Sequence, residues 1–180
     1  MKITVVKHSA AWAEEFRKEA ETLRGILKSE LVKIYHIGST AVPDLWAKPV
    51  IDIMPVVKET EKIDAFRAAL ENVGYEYMGE YGIPDRRFLK KGGDFRTHNV
   101  HIFGIRSEYD IRRHLAVRDY LRTHPDEAAQ YGELKKKLAR LYPDDIGGYC
   151  DGKDDFVKAL EKKALDFFEN RLQTLDFSEN

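Results

Sequence analysis

The fold is decided by two neighbouring stretches of sequence: residues 31–40, which read LVKIYHIGST, and residues 50–57, which read VIDIMPVV. Both are apolar and rich in β-branched residues, which predicts two buried strands. The first strand runs into a Gly-Ser-Thr turn at residues 38–40. The second holds a single carboxylate, Asp52, among apolar neighbours. A charge in such surroundings needs a cation, a helix end or a hydrogen-bond donor beside it.

The remaining patterns place further strands and helices around these two stretches. Apolar residues spaced three or four apart predict helices near both ends of the chain, and Ser9 and Gly74 fit the beginning of one helix and the end of another. The other expected strands are residues 3–6, 75–81, 86–91 and 96–103, and every segment after Gly104 is expected to be helical. This order predicts an α+β fold, a mixed β-sheet flanked by helices with a helical C-terminal half, in a single domain of residues 1–180.

Length and composition narrow the functional class. The chain has 180 residues, 43% of them hydrophobic and 34% charged, which excludes collagen-like, disordered and low-complexity proteins. Its single cysteine, Cys150, excludes an intrachain disulfide, and no apolar run is long enough to cross a membrane, so we expect a cytoplasmic protein. The net charge of −1 removes the bulk attraction used in nonspecific nucleic-acid binding. We therefore expect no nucleic-acid partner.

The Gly-Ser-Thr turn and Asp52 predict a site for a nucleotide or another phosphorylated small molecule. Gly38 lets the backbone come close to a phosphate, and Ser39 and Thr40 offer hydroxyl donors. Asp52 follows Thr40 by twelve positions and can hold the Mg²⁺ or Mn²⁺ that bridges phosphate oxygens. The structural alternative for Asp52 is a carboxylate that accepts backbone N–H bonds at a strand end.

Basic side chains form a second group of candidates. Lys48 lies just before the second stretch, and Arg86 and Arg87 alternate in direction, so only one can face a cleft; we select Arg87. Lys153 follows an expected glycine-rich turn at residues 147–148. Such side chains can clamp phosphates and neutralise the charge that develops on a transferred group. Side chains expected to serve packing or surface ion pairs instead are Trp46, Arg118, Asp119 and Arg122.

Motifs spread along most of the chain are residues 36–43 (HIGSTAVP), 48–53 (KPVIDI), 86–88 (RRF), 97–101 (THNVH), 118–122 (RDYLR) and 153–156 (KDDF). Together they resemble the GrpB family, a branch of the nucleotidyltransferase superfamily. The resemblance implies a mixed sheet with helices and a nucleotide site beside Gly38 and Ser39. It also hints at coenzyme A or nucleotide metabolism, because in some bacteria a domain of this family is joined to dephospho-coenzyme A kinase.

One position departs from the superfamily pattern. That pattern has two carboxylates at i and i+2 of one strand, where they point to the same side and can clamp a pair of metal ions. The partner of Asp52 would be residue 54, which is Met54 and has no oxygen. The neighbouring strand is expected to offer Asn99 and His101. Because Mg²⁺ prefers several oxygen ligands, we expect no tight two-metal site.

Three modes of binding stay open. Asp52 and substrate phosphates could hold one Mg²⁺ or Mn²⁺; Asp52 and His101 could hold zinc or manganese; or the site could bind a nucleotide without turnover. His101 is also a candidate general base, since histidine titrates near neutral pH.

These modes correspond to different functional classes. A nucleotidyltransferase-like enzyme would use Asp52 and His101 as catalytic residues while an acceptor hydroxyl attacks the α-phosphorus. The alternative is a noncatalytic nucleotide or coenzyme A related binding module with a degenerate metal site. A third class is hydrolysis of a small phosphoester by the same two residues. The sequence assigns neither an acceptor nor an oligomeric state.

Overall fold

The computed structural model describes the backbone of residues 2–176 and the side chains of residues 2–169. In that part of the chain the α-helices are α1 (Ala11–Leu27), α2 (Arg67–Asn72), α3 (Glu108–Thr123), α4 (Pro125–Leu141) and α5 (Ile146–Asp176). The strands are β1 (Leu31–Ile37), β2 (Ile51–Val57), β3 (Tyr75–Tyr77), β4 (Arg86–Lys91) and β5 (His98–Gly104). None of the described helices has the length and apolar character needed to cross a membrane.

The five strands form one mixed sheet in the order β1-β2-β5-β4-β3. β2 pairs antiparallel with β1 and parallel with β5, so it lies inside the sheet. Pro55 cannot donate a ladder hydrogen bond, and the β1–β2 register shifts nearby, between Leu31 and Lys33. The predicted fold class is confirmed: a mixed sheet flanked by helices, with a helical C-terminal half.

Alternation along β2 sends its side chains into two different environments. Ile51 and Ile53 point into the larger apolar core, which also contains residues of α1 and α2; we call this side of the sheet the α1 face. Asp52 and Met54 point to the opposite side, where Met54 packs in a cluster with Leu115 of α3; we call this side the α3 face. Helix α5 packs on α3 and α4, so Asp52 lies between the sheet and the C-terminal helices.

The prediction of an N-terminal strand at residues 3–6 is wrong. Only an isolated bridge forms there, between Val6 and Ala47. The backbone N–H of Ile3 donates instead to the carbonyl of Pro143, over 2.7 Å. The segment therefore ties the start of the chain to the C-terminal helices and adds no strand to the sheet.

The strand expected at residues 75–81 is shorter than predicted and ends at Tyr77. Gly79 and Gly82 both have positive φ, at 64° and 86°. Because a strand needs extended backbone, these two positions turn the chain out of the sheet before β4 begins.

Candidate functional site

The turn after β1 closes over the Asp52 carboxylate. Gly38 has a φ of 69°, in the left-handed region that favours glycine. A Cβ atom at this position would lie 2.5 Å from Asp52 Oδ2, so nothing larger than hydrogen fits. Ser39 follows at the beginning of a short 3-10 helix, Ser39–Ala41. The turn and the carboxylate predicted from sequence therefore do meet.

Two arginines of α3 hold this turn in place. Arg118 donates to the backbone carbonyl of His36 over 3.1 Å, and Arg122 donates to that of Ala41 over 2.7 Å. Both arginines also donate to Asp119, as helical spacing predicted. The bonds to the backbone show that these residues do more than form surface ion pairs, because they fix the end of β1 relative to α3.

Thr40 lines the cavity, but its hydroxyl is used within the protein. It is buried, and its Oγ1 lies 2.9 Å from His36 Nε2. The His36 ring stacks on Phe16 of α1 at a centroid distance of 4.8 Å. Burial lowers the pKa of His36 to about 4, so the imidazole is neutral at neutral pH. This contact anchors the turn to the α1 face.

Asp52 is half-buried and takes its partners from β5. The Asn99 amide donates to Oδ1 over 3.0 Å, and His101 Nε2 lies 3.6 Å from the same oxygen. Burial alone would raise the pKa of this carboxyl. The contacts with His101 and Asn99 and the charge of Lys48 outweigh burial and hold the pKa below its usual value. Asp52 is therefore ionised at neutral pH.

His101 directs both of its ring nitrogens at protein groups. Arg86 Nη1 lies 3.5 Å from Nδ1, and Nε2 faces Asp52. The ring also packs on Phe88 and His114, with centroid distances of 5.0 and 5.5 Å. This geometry makes His101 a support for Asp52. The metal-ligand and general-base roles of His101 stay predictions.

The sequence analysis missed a buried lysine that touches the turn. Lys135 of α4 is 3% exposed, and its Nζ donates to Ser39 Oγ over 2.9 Å. It forms no ion pair with any carboxylate among the described side chains. Burial and the charge of Lys153 lower its pKa to about 7, and Asp52 opposes them in part. A buried amine without a counter-ion is a strong demand for an anion.

These groups line a cavity of about 400 Å³ between the α3 face and the C-terminal helices. Lys48, Lys135 and Lys153 form what we call its basic end. The Nζ atoms of Lys48 and Lys153 lie 5.0 and 5.9 Å from the ring centroid of Tyr149. Burial lowers the pKa of Lys48. Cys150 is exposed and also lines this cavity.

The prediction of a glycine-rich turn before Lys153 is wrong. Residues 147–148 belong to the first turn of α5. A Cβ atom at Gly148 would lie 2.6 Å from the ring of Tyr142, so glycine allows the start of α5 to pack closely against the end of α4. This early start of α5 places Lys153 and Cys150 beside the cavity.

Away from the basic end, the charged side chains that line the cavity are paired with opposite charges. Arg113 pairs with Asp110 at 2.8 Å and with Glu161 at 3.3 Å. His114 Nδ1 lies 2.6 Å from the backbone carbonyl of Asp110 and donates to it. Burial lowers the pKa of His114 to about 4, so its ring is neutral. The net positive charge of the cavity is therefore concentrated at the basic end.

Arg87 is the predicted site residue that lies elsewhere. It stands opposite Ile102 in the β4–β5 register, on the α1 face, so it cannot reach Asp52. Its guanidinium binds both carboxylate oxygens of Asp64, over 2.7 and 2.9 Å. Arg86 is the member of the pair on the α3 face, where it supports His101. The prediction of Arg87 as a site residue is wrong because alternation along β4 does not show which arginine faces the cavity. The pairing of β4 with β5 decides that question.

Trp46 does not line the cavity and packs against α4. Its side chain would lie 3.5 Å from a Cβ atom at Gly132, which brings it close to α4. Lys136 Nζ lies 4.5 Å from the centroid of its ring. Trp46 is therefore part of the contact between the loop before β2 and α4.

The donor set around Asp52 does not fit a magnesium or manganese site. Its Oδ1 already accepts the Asn99 amide, which leaves Oδ2 as its one oxygen without a described hydrogen bond, and the fully buried Met54 beside it supplies no oxygen. Hard cations of this kind need several oxygen ligands. Across residues 2–169, no three His, Cys, Asp or Glu side chains gather closely enough to hold a metal ion.

The structure and the sequence are similar to those of known proteins. The structure matches the conserved protein GrpB from Enterococcus faecalis with a TM-score of 0.89 and 48% identity, covering 92% of this chain and 99% of that one. UPF0157 protein YqkA from Bacillus subtilis is 42% identical over 163 residues, which are 91% of this chain. The chain spans about half, 47%, of the length of that relative.

A further relative supports the same assignment. Glutamate-rich protein GrpB from Alkalihalophilus pseudofirmus is 31% identical over 163 residues, covering 88% of this chain and 93% of the relative. The family profile described as GrpB protein matches residues 2–163, which include the turn, Asp52 and the three lysines of the basic end. The chain belongs to the GrpB family.

Proposed function

We propose that the cavity binds a nucleotide or another phosphorylated small molecule. The observation that carries this proposal is the contact between Lys135 and Ser39, in which a buried amine with no carboxylate partner among side chains 2–169 meets a hydroxyl at 2.9 Å. Phosphate oxygens accept hydrogen bonds from ammonium and hydroxyl groups, and charge-assisted bonds of this type are the strong ones. A ligand phosphate beside this contact would accept hydrogen bonds from both groups.

The charges around the contact support an anionic ligand. Lys48 and Lys153 line the same end of the cavity, and Asp52 is its nearby carboxylate. The remaining lining carboxylate, Glu161, is already paired with Arg113. The basic end therefore carries excess positive charge in a partly closed space, where electrostatic attraction is stronger than in water.

Titration calorimetry with ATP, CTP and dephospho-coenzyme A tests the proposal. We expect binding by at least one of them, and roughly tenfold weaker binding by Lys135→Met, because one charge-assisted contact is worth about 1.4 kcal/mol. Lys137→Met is the matched control, since Lys137 is exposed two positions along the same helix. Binding that is equally weakened by both variants, or unaffected by either, would contradict the proposal.

Nucleotidyl transfer is a second candidate, favoured by the ionised Asp52 carboxylate beneath the same turn as Ser39. An acceptor hydroxyl would attack the α-phosphorus of a bound nucleoside triphosphate, pyrophosphate would leave, and Asp52 would take the hydroxyl proton. The test is release of pyrophosphate from ATP in the presence of a small-molecule extract, compared between the wild-type protein and Asp52→Asn. Binding without release would leave a noncatalytic nucleotide or coenzyme A related module.

A further inference from the structure

We infer that the site takes its phosphorylated ligand as the metal-free anion, and that Lys48, Lys135 and Lys153 supply the positive charge that a divalent cation would otherwise supply. This inference rests on the proposed function. It goes further by naming the charge state of the ligand and the groups that balance it.

The first argument is that the cavity offers a metal ion few free carboxylate oxygens. Asp52 Oδ1 accepts the Asn99 amide and lies 3.6 Å from His101 Nε2, which leaves Oδ2, beside Gly38, as its one oxygen without a described hydrogen bond. Glu161, at the far end, contacts Arg113 and accepts the hydroxyl of Tyr109 over 3.0 Å. A metal ion in the cavity would therefore gain one free Asp52 oxygen, where a hard divalent cation prefers several oxygen ligands.

The second argument is the charge of the basic end. Its three ammonium groups stand against Asp52 alone, which leaves an excess of two positive charges when all are protonated. A terminal phosphate with two negative charges balances that excess. A ligand that brings a divalent cation with it would place two further positive charges beside the lysines, where repulsion in a half-buried site is costly.

The third argument is geometric. Lys135 reaches Ser39 from α4, while Lys48 precedes β2 and Lys153 lies on α5, so the three come from different elements. All three line the same cavity, and Lys48 and Lys153 lie close enough to Lys135 for their charges to lower its pKa. The inferred ligand class is therefore a phosphate monoester or a polyphosphate, whose terminal group carries two charges, rather than a phosphodiester.

Calorimetry with ADP and with inorganic tripolyphosphate, in EDTA and in excess MgCl2, tests the inference on the full chain. We expect binding in EDTA, and at least about fivefold weaker binding in excess Mg²⁺, because chelation neutralises two of the ligand's negative charges. Binding that requires Mg²⁺ would overturn the inference and leave the proposed function standing. No binding in either condition would overturn both.

Asp52→Asn separates the two roles of that carboxylate. If the ligand is metal-free, removing a negative charge from the site should preserve or tighten ADP binding in EDTA. If the carboxylate held a metal, the same change should abolish binding in MgCl2. A folded variant, verified by circular dichroism and thermal unfolding, that loses ADP binding in EDTA would overturn the inference. Should Asp52→Asn fail to fold, the EDTA comparison on the wild-type protein still decides.

Discussion

Two lysines, one on each face of the sheet, differ in whether the protein supplies a carboxylate partner for the buried or partly buried ammonium group. On the α1 face, Lys91 pairs with Glu19 over 2.8 Å, and the Tyr75 hydroxyl donates to the same carboxylate over 2.7 Å. On the α3 face, Lys135 donates to the Ser39 hydroxyl and lies 4.3 Å from the ring centroid of Tyr131, and it has no described carboxylate as an ion-pair partner. The first arrangement is complete within the protein. The second is completed by an anion from outside, which distinguishes a stabilising contact from a binding site.

The largest expected effect comes from a matched pair of glycines, one on each side of this comparison. Gly38→Ala should destabilise the protein by about 3 kcal/mol, because the new Cβ would meet Asp52 Oδ2 and the residue would keep a left-handed φ. Gly25→Ala in α1, where a Cβ would contact nothing within 4 Å, should be neutral or stabilise by up to about 1 kcal/mol. Urea unfolding measures the change in the free energy of unfolding for both variants. Similar changes in the two variants would contradict the expected difference between the two glycines.

The second effect concerns the two lysines directly. Lys91→Met leaves Glu19 partly buried without its cation and should lower the free energy of unfolding by about 2 kcal/mol. Lys135→Met removes a buried amine that has no counter-ion and should raise it by about 1 kcal/mol in the absence of ligand. Thermal and urea unfolding of the two variants provide the test. Destabilisation by Lys135→Met would mean that its contact with Ser39 is structural.

The pH dependence of ligand affinity sharpens the comparison further. The pKa of Lys135 is about 7 in the free site, where Lys48, Lys153, Asp52 and Tyr131 surround it. A bound phosphate raises that pKa, so above pH 7 the complex holds a proton that the free protein lacks. Affinity should therefore fall as the pH rises above 7, by up to about tenfold per unit. Calorimetry in buffers of different ionisation enthalpy detects the proton uptake.

Lys135→Met provides the control for this pH dependence, because the phosphate group of the ligand titrates too. The variant should bind without uptake of a proton above pH 7 and should lose the steep fall in affinity. A pH profile identical to that of the wild-type protein would assign the titration to the ligand.

The smallest effect is expected for Arg87→Met. Arg87 lies on the α1 face and pairs with the exposed carboxylate of Asp64, so its loss should cost at most about 1 kcal/mol of stability. Ligand affinity should stay unchanged, in contrast to Lys48→Met on the other face. A loss of affinity in the Arg87 variant would show that the two faces are coupled.

Local sequence features predicted the turn and its carboxylate correctly. Glycine with positive φ, serine and a lone aspartate in an apolar strand each require a special environment, and that requirement is readable without the fold. Their meeting needed only that β1 and β2 be neighbours, which their shared apolar character indicates. The part of the site that lies within twenty residues of the turn was therefore accessible.

Three more distant residues expected from the sequence, Asn99, His101 and Lys153, also line the cavity. The placement of Lys135 depends on long-range packing. Lys135 belongs to the run of lysines at residues 135–137, which is typical of a solvent-exposed helix surface. A signal was nevertheless present, because Lys135 stands between Tyr131 and Leu138 at the spacing of the buried stripe of α4. A lysine at a core position of an amphipathic helix indicates a functional role for that side chain.

The position of Cys150 gives this protein a built-in reporter. As the chain's single thiol, exposed and lining the same cavity as the basic end, it can be alkylated without ambiguity about which residue has reacted. A small molecule seated in the cavity should shield it, so the rate of reaction with iodoacetamide becomes a footprint of occupancy. Libraries of unlabelled metabolites could then be screened by intact mass alone, with no engineered tag or fluorophore.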